Sequence, residues 1–271
     1  LKLGISSACL YPEVLEESIK RLCDSGVKNI EIFLNTFCEC KKSFLQELKK
    51  MTDDAGVNIL SLHPFTSGFE TFLFFTNYPR RFNDAVDMYK RYCECANILG
   101  SGILVFHGAK RDFKISYEEY FEKYGRLVDA CAENGIAISH ENIPRCISCC
   151  PEFFENMRKY LPNAKSVLDV KQTIRAGYTV DEMINAMGSS IAHVHISDHN
   201  KSADCLAIGK GSLDVLSFLN KLRDIDFDGG VIIELYRENF NDFSELYDCY
   251  KYLQSIYLKS INYSTKIDSN K

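Results

Sequence analysis

The stretch DDAGVNILSLH, residues 53–63, holds the pattern on which the fold turns: acidic residues at a helix end, a glycine, then an apolar run closing on a histidine. The same grammar appears in CDSGVKNIEIFL (23–34), NILGSGILVFH (97–107) and AENGIAISHE (132–141). Gly26, Gly56, Gly100 and Gly135 each stand where a charged amphipathic pattern stops, a position that often demands a left-handed backbone. The repeating unit is therefore helix, turn, strand.

Working outward, short apolar runs predict strands near 3–6, 29–34, 58–62, 102–106, 136–140, 165–169, 191–196 and 230–235, each followed by a helical pattern. Strands that alternate with helices run parallel through right-handed crossovers, and eight such units in roughly 250 residues close on themselves. The expected fold class is α/β, a single-domain (β/α)8 TIM barrel over residues 1–260, with a frayed polar tail at 261–271. An open doubly wound sheet is the alternative, but the chain has neither GxGxxG nor a P-loop. The longest connection, SGFETFLFFTNYPRR (67–81), follows the third strand and reads equally as a lid or as an extra helical turn packed on the rim.

Bulk properties bound the function. The 271 residues are 46% hydrophobic and 25% charged, which suits one large barrel. No apolar run approaches the roughly 18 to 20 residues of a membrane span, and LKLGISSACLYPE does not read as a signal peptide, so a cytoplasmic protein without membrane partners is expected. The 12 cysteines fall on apolar strand and helix positions as often as in loops, and reduced thiols are the reading. A formal charge of −5 argues against nucleic acid as partner and leaves a small molecule; a homo-oligomer stays open.

Five strands in succession end in a metal-ligand type: His63 in SLHPF, His107 in LVFHGAK, Glu141 in ISHENIPR, Asp169 in SVLDVKQ and His195 in HVHISDH. The eighth adds Glu234 in GVIIELY. In a parallel barrel all strand C-termini meet at one rim, so these residues become neighbours. Pleating agrees: with His195 inward, Val194 and Ile196 face the helices, and with Glu234 inward, Val231, Ile233 and Leu235 do. On the fifth strand Glu141 and Ser139 turn inward, which leaves His140 outward and in need of a partner in the helix layer.

Carboxylates gathered in a mouth repel one another, whereas a divalent cation neutralises them. Three carboxylates and an imidazole suit Mn2+ or Zn2+ first, with Mg2+ or Co2+ as alternatives. For any single residue the bland alternatives are a hydrogen-bonded histidine or an acid capping a helix; six on one rim point to a site. His193 shares the inward parity of His195 one layer deeper and reads as a supporting or core histidine, His199 as a surface residue. Glu31 in NIEIFLN points inward, either to support the metal ligands or to pair with a lysine.

With these residues in view, the chain resembles the xylose isomerase-like TIM barrel superfamily of sugar phosphate isomerases and epimerases, related to endonuclease IV. The resemblance runs from LGISS to GVIIELY and includes HVHISD and the Gly209-Lys210-Gly211 turn in AIGKGSLDV. It implies one metal on Glu141, Asp169, His195 and Glu234, with Glu141 and Glu234 exchanging a proton through an enediolate of a small sugar, polyol or sugar phosphate. The endonuclease IV branch implies a second metal on His63, His107 and bridging Glu141. That branch also carries a histidine three residues after the sixth-strand aspartate, where this chain has Gln172, and a later Asp-x-His pair that DHNKSADCLAIG lacks, with Asp204 and Cys205 nearby. A phosphodiesterase acting on DNA is thus the second reading, and a sugar or polyol dehydratase the third. Gln172, Lys110, Arg145, Lys171, Lys210 and Arg237, with Arg175 and Lys201, follow strand ends and are candidates for substrate contacts.

Overall fold

Each expected apolar run becomes a strand because its alternate residues have two apolar or ligand-bearing layers to fill. The computed structural model describes residues 1–268, with side chains described through Ile261. The strands are β1 (Lys2–Ser6), β2 (Asn29–Leu34), β3 (Asn58–Pro64), β4 (Ile103–Phe106), β5 (Ala137–Glu141), β6 (Lys165–Asp169), β7 (Ile191–Ile196) and β8 (Gly230–Ile233). Neighbours in sequence pair in parallel, and β8 closes on β1, so the sheet is a complete barrel. The chain is a (β/α)8 TIM barrel.

Helices wrap the outside, and their ends follow local chemistry. Gly26, Gly56, Gly100 and Gly135 have φ of 84°, 63°, 74° and 74°, the left-handed geometry expected of them. Thr179 and Glu182 form a reciprocal capping box that starts the helix Val180–Met187. The last helix, Phe243–Asp268, runs through the boundary expected at 261, and residues 269–271 of the tail lie outside the described residues. No helix among the described residues is long and apolar enough to cross a membrane. All 12 cysteines are free thiols.

Of the two readings of residues 67–81, the packed one describes the structure. Short helices Phe65–Phe69 and Glu70–Phe74 lie on the rim, and the buried Glu70 carboxylate accepts hydrogen bonds from the His107 and Gly108 backbone N–H groups and the Tyr89 hydroxyl. Thr71 accepts the Lys110 N–H, and Phe74 and Phe75 are buried. These bonds bolt the segment to the end of β4.

Register sets the mouth. Asp169 on β6 pairs beside His195 on β7, after a one-residue shift between Ser166 and Val167. The Glu234 N–H donates to Ile196 O, continuing β8 alongside β7 by one residue and placing Glu234 at the same level.

Candidate metal centre

His195 is the hub. Its Nε2 lies 3.0 Å from Glu31 Oε2, and its Nδ1 lies 3.1 Å from Glu141 Oε1, 3.5 Å from Glu234 Oε2 and 3.7 Å from Asp169 Oδ2. A carboxylate can only accept, so Nε2 donates to Glu31 and Nδ1 donates toward Glu141; an ion bound at Nδ1 would take the place of that second proton while Glu31 keeps the first. Burial disfavours the His195 cation, yet Glu31 and Glu234, with bonds to Asp169 and Glu141, hold the imidazole well above its ordinary value. The same barrel floor satisfies Glu31: Ser6 and Ser61 donate to it at 3.0 and 2.7 Å, and His193 stands 3.3 Å away. Glu31 is therefore tied to two serines and two histidines rather than to a lysine.

Asp169 serves two masters. Its Oδ1 accepts the Gln172 N–H at 2.9 Å, capping the helix Val170–Arg175, while Oδ2 faces the mouth. One oxygen meets the helix-cap reading, and the other stays turned to the mouth, where a ligand would be needed. Asn142, which the sequence did not flag, clamps this strand end by accepting the Asp169 N–H and donating to Asp169 O.

A second cluster adjoins the first through Glu141. His63 Nε2 and His107 Nε2 are 3.0 Å apart, and His107 Nε2 is 2.8 Å from Glu141 Oε2. His63 Nδ1 is directed to Pro64 O, an acceptor only, which leaves its Nε2 lone pair facing His107. Burial alone raises the Glu141 carboxyl, but His107, His195 and His63 reverse this and hold it well below the usual carboxylate range.

These observations test a metal. One ligand atom from each of Glu141, Asp169, His195 and Glu234 lies within 4.8 Å of the others, as do those of His63, His107 and Glu141. Opposite ligands of an ion with bonds of about 2.1 Å stand about 4.2 Å apart, so small side-chain adjustments suffice. An all oxygen and imidazole donor set fits a divalent first-row ion, and the imidazole already has a carboxylate behind it.

The structure brings one basic candidate into this centre. Lys171 is buried and its Nζ bonds Asp169 Oδ2 and Glu234 Oε2. No bond to the ligand set is made by the side chains of the others. Arg237 donates to Phe240 O and Asn241 O of its own loop. Lys210 lines a separate depression with Asn241, Glu245 and Tyr252. Arg175 pairs with Asp204, and Lys110, Arg145 and Lys201 are exposed. Gln172 is half-buried and contributes its backbone N–H to Asp169. The Gly209-Lys210-Gly211 turn is structural: Asp198 accepts the N–H groups of Gly209, Gly211 and Leu213.

The mouth opens on a cleft of about 430 Å3 lined by Ala8, Tyr11, Phe33, Asn35, Phe65, Glu234, Leu235 and Tyr236. The hollows around Asp181 and Lys221, Lys210 and Tyr252, Tyr92 and Cys95, and Phe82 and Arg126 carry none of the ligand set, whereas this cleft includes the Glu234 carboxylate.

Fold and site together define a parallel barrel with a cluster of acids and imidazoles at its C-terminal mouth. The chain belongs to the xylose isomerase-like TIM barrel family, whose sequence model matches residues 19–255. It is 26% identical over 253 residues to an uncharacterized protein of Methanocaldococcus jannaschii, covering 86% of this chain and 83% of that one. Among solved structures it is similar to a D-tagatose 3-epimerase-like protein, with TM-score 0.79 and 22% identity over 98% of this chain and 100% of that one. It is also similar to the IOLI protein with a zinc atom bound, with TM-score 0.75 and 22% identity over 96% and 98% of the two chains.

Proposed function

We propose that the protein is a divalent-metal-dependent isomerase or epimerase of a small sugar, polyol or sugar phosphate. The observation that carries this reading is the pair Glu141 and Glu234, two carboxylates from β5 and the end of β8 whose oxygens approach His195 Nδ1 at 3.1 and 3.5 Å. Glu234 borders the cleft, so its carboxylate meets substrate and removes the proton on the carbon next to a carbonyl. Glu141, more deeply buried, would deliver a proton to the resulting enediolate after taking one up from solvent, and the proton held by Glu234 would leave to solvent, so the exchange balances. Glu141, Asp169, His195 and Glu234 would hold the ion, with His63, His107 and Glu141 forming a second position. Bound there, Mn2+ or Zn2+ supplies Lewis-acid stabilisation of the developing oxyanion. The IOLI protein's zinc and the epimerase-like neighbour support the reading.

A DNA phosphodiesterase is disfavoured by the acidic charge balance and by Asp204, which is turned outward to Arg175 instead of toward a third ion. The deciding experiment incubates Mn2+-loaded protein with a panel of ketoses and cyclic polyol ketones in D2O. Deuterium is expected on the carbon beside the carbonyl, and Glu234→Gln is expected to slow its incorporation at least about 100-fold. No incorporation into any member of the panel would overturn the reading.

A further inference from the structure

Lys171 needs a separate account, because a buried ammonium stands on the atoms a metal would take. Its Nζ bonds Asp169 Oδ2 and Glu234 Oε2, two of the oxygens that face His195 Nδ1. The helix Val170–Arg175 begins directly after Asp169, and its first turn carries the Lys171 side chain back over the strand end. An ammonium and a divalent ion a few ångströms apart repel strongly where water is scarce. They also compete for the same lone pairs. The ammonium has somewhere to go: its Nζ lies 5.7 Å from the centroid of the Tyr236 ring, and Tyr236 borders the cleft beside Glu234.

We infer that Lys171 is a tethered counter-ion that exchanges with the metal: it holds Asp169 and Glu234 together when no ion is bound, and metal binding moves its ammonium against Tyr236, where it contacts substrate oxygens. This rests on the metal reading above. The device keeps the acids from repelling one another before the ion arrives, and it converts metal binding into the placement of a positive charge at the substrate cleft. A purely structural lysine would make the opposite demand, since its loss would loosen the ligands.

Two measurements on the full-length protein test it. In calorimetric titrations with Mn2+ alone, Lys171→Met is expected to bind about tenfold more tightly than the parent, because the competing occupied state is gone. Arg175→Met serves as control, since it removes an equal charge that stacks on Tyr236 without touching Asp169 or Glu234. Should Arg175→Met tighten binding as much, or Lys171→Met bind Mn2+ equally or more weakly, the exchange is refuted while the metal reading stands. Absence of Mn2+ binding by both parent and Lys171→Met would sink both.

The second measurement uses the parent alone and survives a variant that fails to fold. Acetic anhydride labelling, followed by peptide mass spectrometry, should acetylate Lys171 faster with Mn2+ than after chelation, with the exposed Lys201 as internal reference. Lys171 that stays equally shielded when Mn2+ is bound overturns the proposal.

Discussion

His140 and Glu141 are adjacent on β5, yet they live in opposite chemistries. Glu141 turns into the mouth, where His63, His107 and His195 surround it. His140 turns outward into a layer of rings, with Phe106, Tyr124 and Phe153 within 5.3 Å between centroids. There its Nδ1 donates to Glu141 O, and its Nε2 accepts the Tyr120 hydroxyl at 2.6 Å. Burial drives its pKa down to about 3, so it stays neutral, whereas His195 among four carboxylates is driven upward. Gly108, at φ 86°, leaves the space in which Tyr120 and His140 meet; a Cβ there would stand 2.1 Å from the Tyr120 oxygen. The lesson is that the face of the strand, rather than the residue type, decides whether an imidazole is chemistry or packing.

The contrast can be broken at either face. On the mouth side, Glu141→Gln should reduce deuterium exchange by about 1,000-fold, within the range for losing a general acid or base, while urea unfolding stays cooperative. A variant that keeps parental exchange would remove Glu141 from the reaction.

On the helix side the expected effect is on stability. The folded pKa of His140 is depressed, so its contribution is present above the ordinary value of about 6.5 and is lost as pH falls toward about 3. Between pH 7 and pH 4 this one group should cost the parent about 3 kcal/mol, so His140→Phe should lose that much less over the interval. Urea midpoints at the two pH values check it, and equal losses would mean that His140 is not held neutral.

The smallest effect sharpens the comparison rather than breaking it. Glu31 touches no substrate cleft and acts through His195 Nε2. Glu31→Gln should weaken Mn2+ binding by about 10- to 100-fold, the usual cost of losing a carboxylate behind a ligating imidazole. Unchanged affinity would make Glu31 filler of the barrel floor.

Much of this was legible along the chain. Period-two alternation assigned His195, Glu234 and Glu141 to the inner face and His140 to the outer one, and the structure supplies the outer partner as Tyr120. The residues that escaped notice hold backbone or sit in loops. Asn142 and Asp198 bond peptide groups brought near by the fold, and no spacing marks such work. Glu70 offered a signal, a lone acid in the aromatic run FETFLFF, that buried acids with capping duties leave behind. Lys171 stood among seven cations after strand ends, and sequence could not rank it above Lys210 or Arg237.

What the sequence determined by itself is local and periodic: eight strands, their order, and the residue that reaches the mouth on each of the last six. Those follow from the 3.6-residue and two-residue repeats, which depend only on near neighbours. Tertiary structure alone decided that Glu31 holds the Nε2 proton of His195, that one oxygen of Asp169 caps a helix, and that Lys171 enters the ring of acids. These are ångström-scale matters between strands up to 164 residues apart in sequence, and only closure of the barrel sets such distances.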